Sequence, residues 1–530
     1  MHRVRRRGYN TAVPAPSSNE QLKTLTHAQL IEMVSSLQQR LAWFERQIFG
    51  SKSERLRVLE DARQLALGEI LSEAAPSTPA KQRTVAAHTR RVKQTDAAAV
   101  GEAESVPFFD RSRVPVETIR VSAPEREGIA QEQLEVIGQK VSYRLAQRPG
   151  SYMVLEYVRE IVKRRDTQQI SCAPAPAGVI EGSRADVSFL AGLLVDKFAW
   201  HLPLYRQHQR LIDVGFSVTR PWLTQLVQQA VSLLEPIYAA QLDSIRASRV
   251  VAMDETPIKA GRAGHGKMKA AYFWPLYGEA DEVCFPFFPS RAHEHVRTVL
   301  GLARAPGSVL LSDGYGAYES YAKKLGLTHA QCWSHCRREF FEAEAIEPER
   351  VRDALQRIAA IYAIEEQIRE QKLTGEAKRL HRLTHSKPQV EAFFEWVERQ
   401  LQDQALLPSS PFTKALGYAH HRRAALEVFL TDPDVPVDTN HLERALRVVP
   451  MGRRNWLFCW TELGAEHVGI MQSLIVTCRL HGINPYDYLV DVLQRVGEHP
   501  ASRVAELTPR LWNQYFAASP LRSALHTLAA

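Results

Sequence analysis

Three acidic residues lie in local sequences that suit metal-dependent chemistry on phosphates. Asp254 follows an apolar, β-branched run at residues 250–253, and Asp313 follows a second such run at residues 309–312. Each run is typical of a buried strand that reaches the surface at its acid. Glu443 comes much later, in the first turns of a helical pattern. Because Mg²⁺ takes oxygen ligands, two strand-end aspartates and one helix glutamate are what a two-metal phosphoryl-transfer site needs.

The same pattern has an ordinary structural explanation. Strands in many α/β proteins end in aspartate, because its side chain caps the turn or helix that follows. The spacing of the three acids by itself leaves both interpretations open, so the surrounding sequence has to be considered.

Composition predicts a multidomain globular protein. The 530 residues exceed what one hydrophobic core supports, and about three or four domains are the usual division of such a length. A net charge of +8 favours a polyanionic partner. No run of 18 or more apolar residues is present, so we expect no membrane span. The basic N-terminus lacks the apolar stretch of a secretory signal, so we expect no such signal. Six scattered cysteines without a paired framework indicate a reducing, cytoplasmic location.

The first hundred residues predict a disordered N-terminus, a helix and a linker. Residues 1–24 are basic and are expected to be disordered, and residues 25–60 form a zipper helix with a heptad seam. A zipper would join two protomers through residues 25–50, whereas a plain amphipathic helix would pack on its own chain. Residues 61–105 are rich in Ala, Ser, Thr and Pro and are predicted to form a linker.

Two modules are expected before the acids. Residues 106–182 carry β-rich patches and end near a basic cluster, which predicts a small β-rich module with a basic edge. Residues 183–246 then switch to a helical period with a glycine turn at Gly215, which is typical of a helix-turn-helix. An ordinary helical domain explains that turn equally well.

The order of elements after residue 247 predicts a ribonuclease-H-like mixed sheet. Residues 247–344 contain three strands in a meander and then alternating helices and strands, so the first and fourth strands are expected to be adjacent. This topology would bring Asp254 and Asp313 within reach of bridging metals. Consecutive residues on a strand face opposite ways. We therefore expect Asp254 in the site and Glu255 as an outward or supporting acid.

The remaining sequence predicts an interruption of that core. Residues 345–432 are charge-rich and helical and are expected to form an insertion. Residues 433–500 would return the chain with the helix that carries Glu443, and residues 501–530 would form a C-terminal tail. The fold class is thus multidomain α+β. A ribonuclease-H-like α/β core is interrupted by a helical insertion and is preceded by a short coiled coil, a β-rich module and a helical domain.

Five sequence blocks, in order along the chain, resemble the large transposase of bacterial insertion-sequence family sixty-six. The blocks are Met253-Asp254-Glu255-Thr256, Ser312-Asp313-Gly314-Tyr315, Cys332-Trp333-Ser334-His335-Cys336-Arg337-Arg338, Asn440-His441-Leu442-Glu443-Arg444-Ala445-Leu446-Arg447 and Gly452-Arg453-Arg454-Asn455-Trp456-Leu457-Phe458. A segment at residues 46–55 is also similar to that family, and the resemblance covers roughly residues 25 to 500.

The resemblance implies an enzyme and its site. Asp254, Asp313 and Glu443 take the roles of the DDE catalytic triad and hold two Mg²⁺ or Mn²⁺ ions. The implied reaction is the cleavage and joining of double-stranded DNA at element ends, without a covalent protein–DNA intermediate. A homo-oligomer is expected, since two element ends must be held together, and small companion proteins commonly accompany this family.

The chain departs from the family in one respect. The family usually carries a cysteine-paired zinc module after the zipper, but residues 106–182 hold only Cys172. Four-ligand coordination is not possible there, and no fourth ligand is evident beside Cys332, His335 and Cys336. No structural zinc is therefore expected. The resemblance implies a DNA-binding module at residues 106–182 that either keeps its fold without metal or binds DNA in an altered way.

Several basic and polar residues of the blocks are expected to contact DNA, because cations beside a metal site can hold a phosphate. They are His335, Arg337, Arg338, Asn440, Arg444, Arg447, Arg453 and Arg454. Trp456 is expected to contact DNA in another way, by stacking on a flipped or splayed base. Solvated helix faces, a Glu443–Arg447 ion pair and a core tryptophan are the simpler explanations. Two rival functions remain: a catalytically silent protein that binds element ends, and a metal-dependent nuclease.

Overall fold

The computed structural model describes residues 108–123, 133–148, 150–264, 267–302, 304–403 and 406–527. The basic N-terminus, the zipper helix and the linker expected before residue 106 lie outside these residues. In the described part, the chain is a mixed α/β protein with three sheets.

A four-stranded sheet comes first, in the segment where the sequence predicts a β-rich module. Its strands are β1 (Val116–Val121), β2 (Leu134–Arg148), β3 (Ser151–Arg164) and β4 (Ile170–Cys172). The long strands β2 and β3 form an antiparallel hairpin, β1 pairs with β3 in parallel, and β4 pairs with β3. The inner side chains of this sheet, such as Leu145 and Val154, belong to the same hydrophobic cluster as the helices that follow.

Three helices connect this sheet to the next one: α1 (Val187–Leu194), α2 (Leu204–Val214) and α3 (Arg220–Ala247). Gly215 closes α2 with a φ of 113°, a left-handed conformation that glycine adopts at little cost, and the Thr219 side chain caps α3. The helix–glycine–helix pattern is therefore present. Helix α3 is also a core helix, because Gln241 is buried and donates hydrogen bonds to the Val283 carbonyl and the Thr477 hydroxyl.

The central sheet has five strands in the order β12-β11-β5-β8-β9. These strands are β5 (Val250–Met253), β8 (Leu276–Gly278), β9 (Val283–Cys284), β11 (Val309–Ser312) and β12 (Thr328–Gln331). The β5, β8 and β9 strands form an antiparallel meander, whereas β5, β11 and β12 are parallel. The first and fourth strands of the sequence prediction correspond to β5 and β11, and they are adjacent as expected.

The meander differs from the sequence expectation. A separate three-stranded sheet contains β6 (Thr256–Gly264), which we did not predict, with β7 (Lys267–Phe273) and β10 (Phe287–Phe288). The second and third strands of the predicted meander are each divided between the two sheets, the second into β7 and β8 and the third into β9 and β10. Pro275 and Pro286 lie at the two divisions. Because proline has no backbone N–H to donate, a ladder is readily interrupted there.

Helices cover the central sheet and form the segment at residues 345–432. Helices α4 (Glu294–Leu300), α5 (Gly316–Leu325) and α6 (Trp333–Glu342) alternate with the strands. The next helices are α7 (Pro348–Glu370), α8 (Gly375–His381), α9 (Lys387–Leu401), α10 (Pro411–His421) and α11 (Arg423–Thr431). The C-terminal helices are α12 (Asn440–Leu446), α13 (Val448–Trp456), α14 (Glu462–Leu480), α15 (Pro485–Arg495), α16 (Pro509–Tyr515) and α17 (Ala524–Thr527).

Two arginines fix the position of the chain where it passes from this helical segment back to the central sheet. The fully buried Arg382 forms an ion pair with Glu365 at 2.8 Å and donates to the backbone carbonyls of Phe429 and Val435. Arg249, directly before β5, binds Asp432 at 2.7 Å and also Asp434. These contacts hold the segment that leads into α12 against the start of β5.

Residues 501–527, expected as a tail, contain short helices that pack on the rest of the chain. Trp512 of α16 is buried, and its indole N–H donates to Asp491 of α15 at 3.0 Å. Within the described part of the chain, no helix combines the length and the apolar character needed to cross a bilayer.

Candidate active site

Asp254 and Asp313 follow two neighbouring parallel strands. Strands β5 and β11 pair in a register that sets Ala252 opposite Leu311. Continuing this register by two residues brings Asp313 level with Asp254. Adjacent strands are about 4.8 Å apart. The two aspartates therefore lie at the same edge of the sheet, where their carboxylates interact electrostatically.

The Asp254 carboxyl is in an environment that disfavours its negative charge. Its pKa is raised to about 7, mainly by burial and in addition by repulsion from Glu255, Asp313 and Glu443. A hydrogen bond of 2.7 Å from the Glu255 N–H to Oδ1 of Asp254 opposes this effect only in part. Four carboxylates thus interact at this edge of the sheet.

Glu255 does not face outward. Strand β5 ends at Met253, so the strand alternation on which we based that expectation no longer applies to residues 254 and 255. The Glu255 side chain is only 4% exposed and is bound by Arg291. The Tyr318 hydroxyl also donates to it. Burial raises the pKa of Glu255, and Asp313 contributes in the same direction. The outward alternative is wrong, and Glu255 is a buried acid beside the two aspartates.

Glu443 lies on α12 and faces His335 of α6. Its Oε1 atom is 3.8 Å from Nε2 of His335, which is buried. Burial lowers the pKa of His335, and Arg338 lowers it further, while Asp313, Glu443 and Asp438 act in the opposite direction. Within the described residues, Nδ1 of His335 has no hydrogen-bond partner. The structure therefore brings His335 and Arg338 together with two of the three predicted acids.

Backbone contacts hold α12 beside the sheet. The Trp333 N–H donates to the Val437 carbonyl at 3.1 Å, and the buried Cys332 sulfur accepts the N–H and hydroxyl of Thr439. The side chain of Asp438 accepts the N–H of Asn440 at the start of α12, and the Asn440 amide turns back to the same carboxylate. Asn440 therefore supports the helix start that precedes Glu443.

The other predicted contact residues are spread around α6, α12 and α13. The arginines with exposed side chains are Arg337, Arg338, Arg444, Arg447 and Arg454. Arg453 is half-buried and donates to the Pro257 carbonyl at 2.6 Å. Trp456 is half-buried and its indole packs on Gly452. A Cβ atom at position 452 would lie only 2.7 Å from the indole nitrogen. Packing against its own helix thus accounts for Trp456.

The donor set fits a hard divalent cation, although its side chains are not arranged around one. Among the described residues, no group of three His, Cys, Asp or Glu side chains is positioned to hold an ion. The Asp254 carboxylate accepts a hydrogen bond from the Glu255 N–H, and the Asp313 carboxylate accepts one from the Tyr315 N–H at 2.9 Å. Both are local contacts that a side-chain rotation releases. Mutual repulsion of oxygen ligands is what a cation relieves.

Sequence reasoning missed the residues that surround the acids. Tyr318 and Arg291, which bind Glu255, come from α5 and from the loop before α4. Arg422, between α10 and α11, donates to the Gly314 carbonyl at 3.3 Å, next to Asp313. Their proximity depends on tertiary packing, and only the adjacency of Glu255 to Asp254 gave a signal in the sequence.

Comparison with known protein families agrees with the sequence resemblance. A family model described as "Transposase IS66 family" matches residues 182–467, which is more than half of the chain. The chain belongs to the IS66 transposase family. A model described as "IS66 C-terminal element" matches residues 473–510, and one described as "Transposase C of IS166 homeodomain" matches residues 36–101.

Relatives of this IS66 family member extend over nearly the whole chain. The protein y4hP of Sinorhizobium fredii is 30% identical over 93% of this chain and 91% of its own length. The protein y4jD of the same organism is 29% identical over 91% of this chain and 96% of its own length.

Proposed function

We propose that this chain is a DDE transposase that cleaves and joins DNA strands at the ends of an insertion sequence. The observation that carries the proposal is the parallel pairing of β5 with β11, which ends in Asp254 and Asp313 at one sheet edge. Glu443, from a distant part of the sequence, interacts electrostatically with Asp254 at that edge. Membership of the IS66 transposase family supports the same reaction class.

The proposed catalytic core is ribonuclease-H-like and is interrupted by the helices between residues 345 and 432. The strand order β12-β11-β5-β8-β9 supports this assignment, because a three-stranded antiparallel meander continues into two parallel crossover strands. The interruption separates Asp313 from Glu443 in sequence. The contacts of Arg382 and Arg249 hold the end of the helical segment next to the start of β5. Glu443, which follows that segment, can therefore act with the two aspartates.

Asp254, Asp313 and Glu443 would hold two Mg²⁺ or Mn²⁺ ions. Such ions, when bound, stabilise the attacking and leaving oxygens of an in-line displacement at phosphorus. The buried Glu255 adds negative charge next to these ligands, while Tyr318 and Arg291 fix its orientation. His335 and Arg338 lie on the same side as Glu443 and would contact the phosphate to be cut.

The proposed partner is double-stranded DNA, held by a homo-oligomer. The exposed arginines around α6, α12 and α13 would bind its backbone. The match of residues 36–101 to a model whose description names a homeodomain supports a DNA contact there too, since homeodomains read DNA with a helix in the major groove. Association of protomers through residues 25–50 remains part of the proposal.

Cleavage assays with isosteric variants test the proposal. The substrate is a duplex that carries the element end, incubated with the full chain and Mg²⁺ or Mn²⁺. We expect wild type to cut and to form strand-transfer products, and Asp254→Asn, Asp313→Asn and Glu443→Gln to bind the duplex without cutting it. Asp243→Asn is the matched control, because this acid is exposed on α3 and pairs with Arg246.

Three results would contradict the proposal in different ways. Triad variants that cut as well as wild type would remove these residues from the chemistry. Cutting without any strand transfer would favour a nuclease. A wild-type chain that binds element ends but never cuts them, even with its companion proteins added, would favour the silent end-binding protein.

A further inference from the structure

Two segments next to the acids are basic and contain no acid. Residues 256–273, which form the β6–β7 hairpin, include Lys259, Arg262, Lys267 and Lys269 but no aspartate or glutamate. Residues 447–460, which include α13, carry three arginines and again no acid. The whole chain has 59 acids in 530 residues, so a positive surface is concentrated in these two segments.

Backbone contacts join the two segments into one surface. The Cys459 N–H donates to the Lys259 carbonyl at 2.9 Å, and the Gly261 N–H donates to the Cys459 carbonyl at 3.1 Å. At the base of the hairpin, Arg453 donates to the Pro257 carbonyl. We call this surface the hairpin shelf; it is defined by Lys259, Arg262, Lys267, Arg454, Phe458 and Trp460.

Trp460 is an aromatic side chain that the shelf presents to solvent. It is 58% exposed, and the Arg262 guanidinium lies 5.1 Å from the centre of its ring system. The Phe458 ring meets it edge-to-face at 5.0 Å. Leu457, which leads into this segment, has a φ of 62°, a costly conformation for a residue other than glycine. An exposed tryptophan held by a strained backbone beside an arginine is suited to stacking on a ligand.

The shelf is continuous with both acid-bearing segments. The hairpin begins at Thr256, directly after Glu255, and α13 directly follows α12, which carries Glu443. Lys259 is five residues from Asp254. An extended chain spans at most about 3.5 Å per residue, so these two residues lie within about 18 Å of each other. A polyanion that is bound on the shelf would therefore extend to the acids.

We propose that the hairpin shelf binds an unpaired stretch of the DNA strand next to the phosphate that is cut. Lys259, Lys267 and Arg454 would contact its phosphates, and Trp460 would stack on a base with Arg262 behind it. This inference rests on the proposed function. It adds to that function a binding surface, the hairpin shelf, and a preference of this surface for unpaired DNA. Stacking on the bases requires a single strand, because bases within a duplex already stack on each other.

A second copy of this chain is the competing occupant. Met451, Leu457 and Leu463 near Trp460 are also exposed, and apolar side chains at a surface can mark a protein interface. The charge on the shelf argues against that occupant, since the same positive surface on two copies would repel itself. Among the hairpin bases, Lys269 already pairs with Glu462 at 2.9 Å.

Equilibrium binding without divalent metal tests the inference separately from catalysis. Fluorescence anisotropy would compare a labelled duplex that has one single-stranded arm with a fully paired duplex of equal length. For Trp460→Ala we expect affinity for the armed duplex to fall by about 5- to 150-fold, as loss of one stacked base predicts, with the paired duplex little affected. Trp460→Phe should restore most of the loss. Lys259→Ala, which removes a proposed phosphate contact, should weaken binding and reduce the salt slope by about one.

Trp200→Ala is the matched control. Trp200 is 69% exposed and also lies beside an arginine, Arg479, at 5.7 Å, but it is outside the shelf. Equal losses for Trp460→Ala and Trp200→Ala, or no loss for either, would overturn the inference while leaving the proposed function intact. So would a Trp460→Ala chain that changes its oligomeric state in light scattering but binds both duplexes normally. A wild-type chain that binds neither duplex would overturn the shelf and the proposed function together.

Discussion

Replacing Asp254 by asparagine should make the metal-free protein more stable at alkaline pH. In the folded chain, burial and three neighbouring carboxylates raise the pKa of this residue from 3.8 to about 7. Asparagine has the same shape and keeps an oxygen that can accept the Glu255 N–H. The substitution therefore removes the disfavoured charge and retains the local hydrogen bond.

The size of the effect follows from the difference between folded and unfolded pKa values. Because the folded pKa is the higher one, ionisation of Asp254 costs no stability below about pH 4, and the cost grows as the pH rises to about 7. At about 1.4 kcal/mol per pKa unit, the cost is about 2 kcal/mol at pH 5 and about 4 kcal/mol at pH 8. Asp254→Asn should gain the corresponding amounts in the free energy of unfolding.

Urea unfolding in EDTA measures this gain. We expect the urea midpoint of Asp254→Asn to exceed that of wild type at both pH values, by about twice as much at pH 8 as at pH 5. Protection of the β5 amides from hydrogen exchange should increase in the same way. The control Asp243→Asn, at an exposed position, should show no such pH dependence. Added Mg²⁺ should then stabilise wild type more than Asp254→Asn. An Asp254→Asn gain that is equal at both pH values, or absent, would refute the reasoning.

Two further predictions concern the residues that hold the acids in place. Arg382→Met should destabilise the chain by about 3–5 kcal/mol, because it leaves the carboxylate of Glu365 without its buried partner; urea unfolding measures the loss. Gly314→Ala should lower the cleavage rate by about 10²-fold, because its Cβ would lie 2.8 Å from the Tyr418 ring and displace the neighbouring aspartate. Gly316→Ala, with no heavy atom within 4 Å of its Cβ, should cut normally in the same assay.

Each of these predictions has its own counter-result. The double substitution of Arg382 to Met and Glu365 to Leu should recover most of the stability, since apolar groups can replace a buried ion pair. A double variant as unstable as the single one would locate the loss in the carbonyl contacts instead. Equal cleavage by the Gly314→Ala and Gly316→Ala chains would show that the loop after β11 tolerates the side chain.

The sequence by itself determined the elements whose residues carry a strong local signal. The runs before Asp254 and Asp313 are short, apolar and rich in β-branched residues, which is typical of buried strands, and both form strands. The helices between residues 345 and 432 follow from their apolar period, and the adjacency of β5 and β11 follows from the order of strands and helices. The family resemblance was likewise evident from the ordered blocks and is confirmed by the family match.

Only the tertiary structure decided what surrounds the acids. Strand β5 ends at Met253, two residues before Glu255, so strand alternation does not apply there and Glu255 turns inward to Tyr318. The hairpin of β6 leaves the central sheet and meets Trp460, about 200 residues later in the chain, through the contacts of Cys459 with Lys259 and Gly261. Short-range patterns encode which residues form a strand or a helix. They do not encode which distant side chains meet, because those contacts depend on packing of the whole chain.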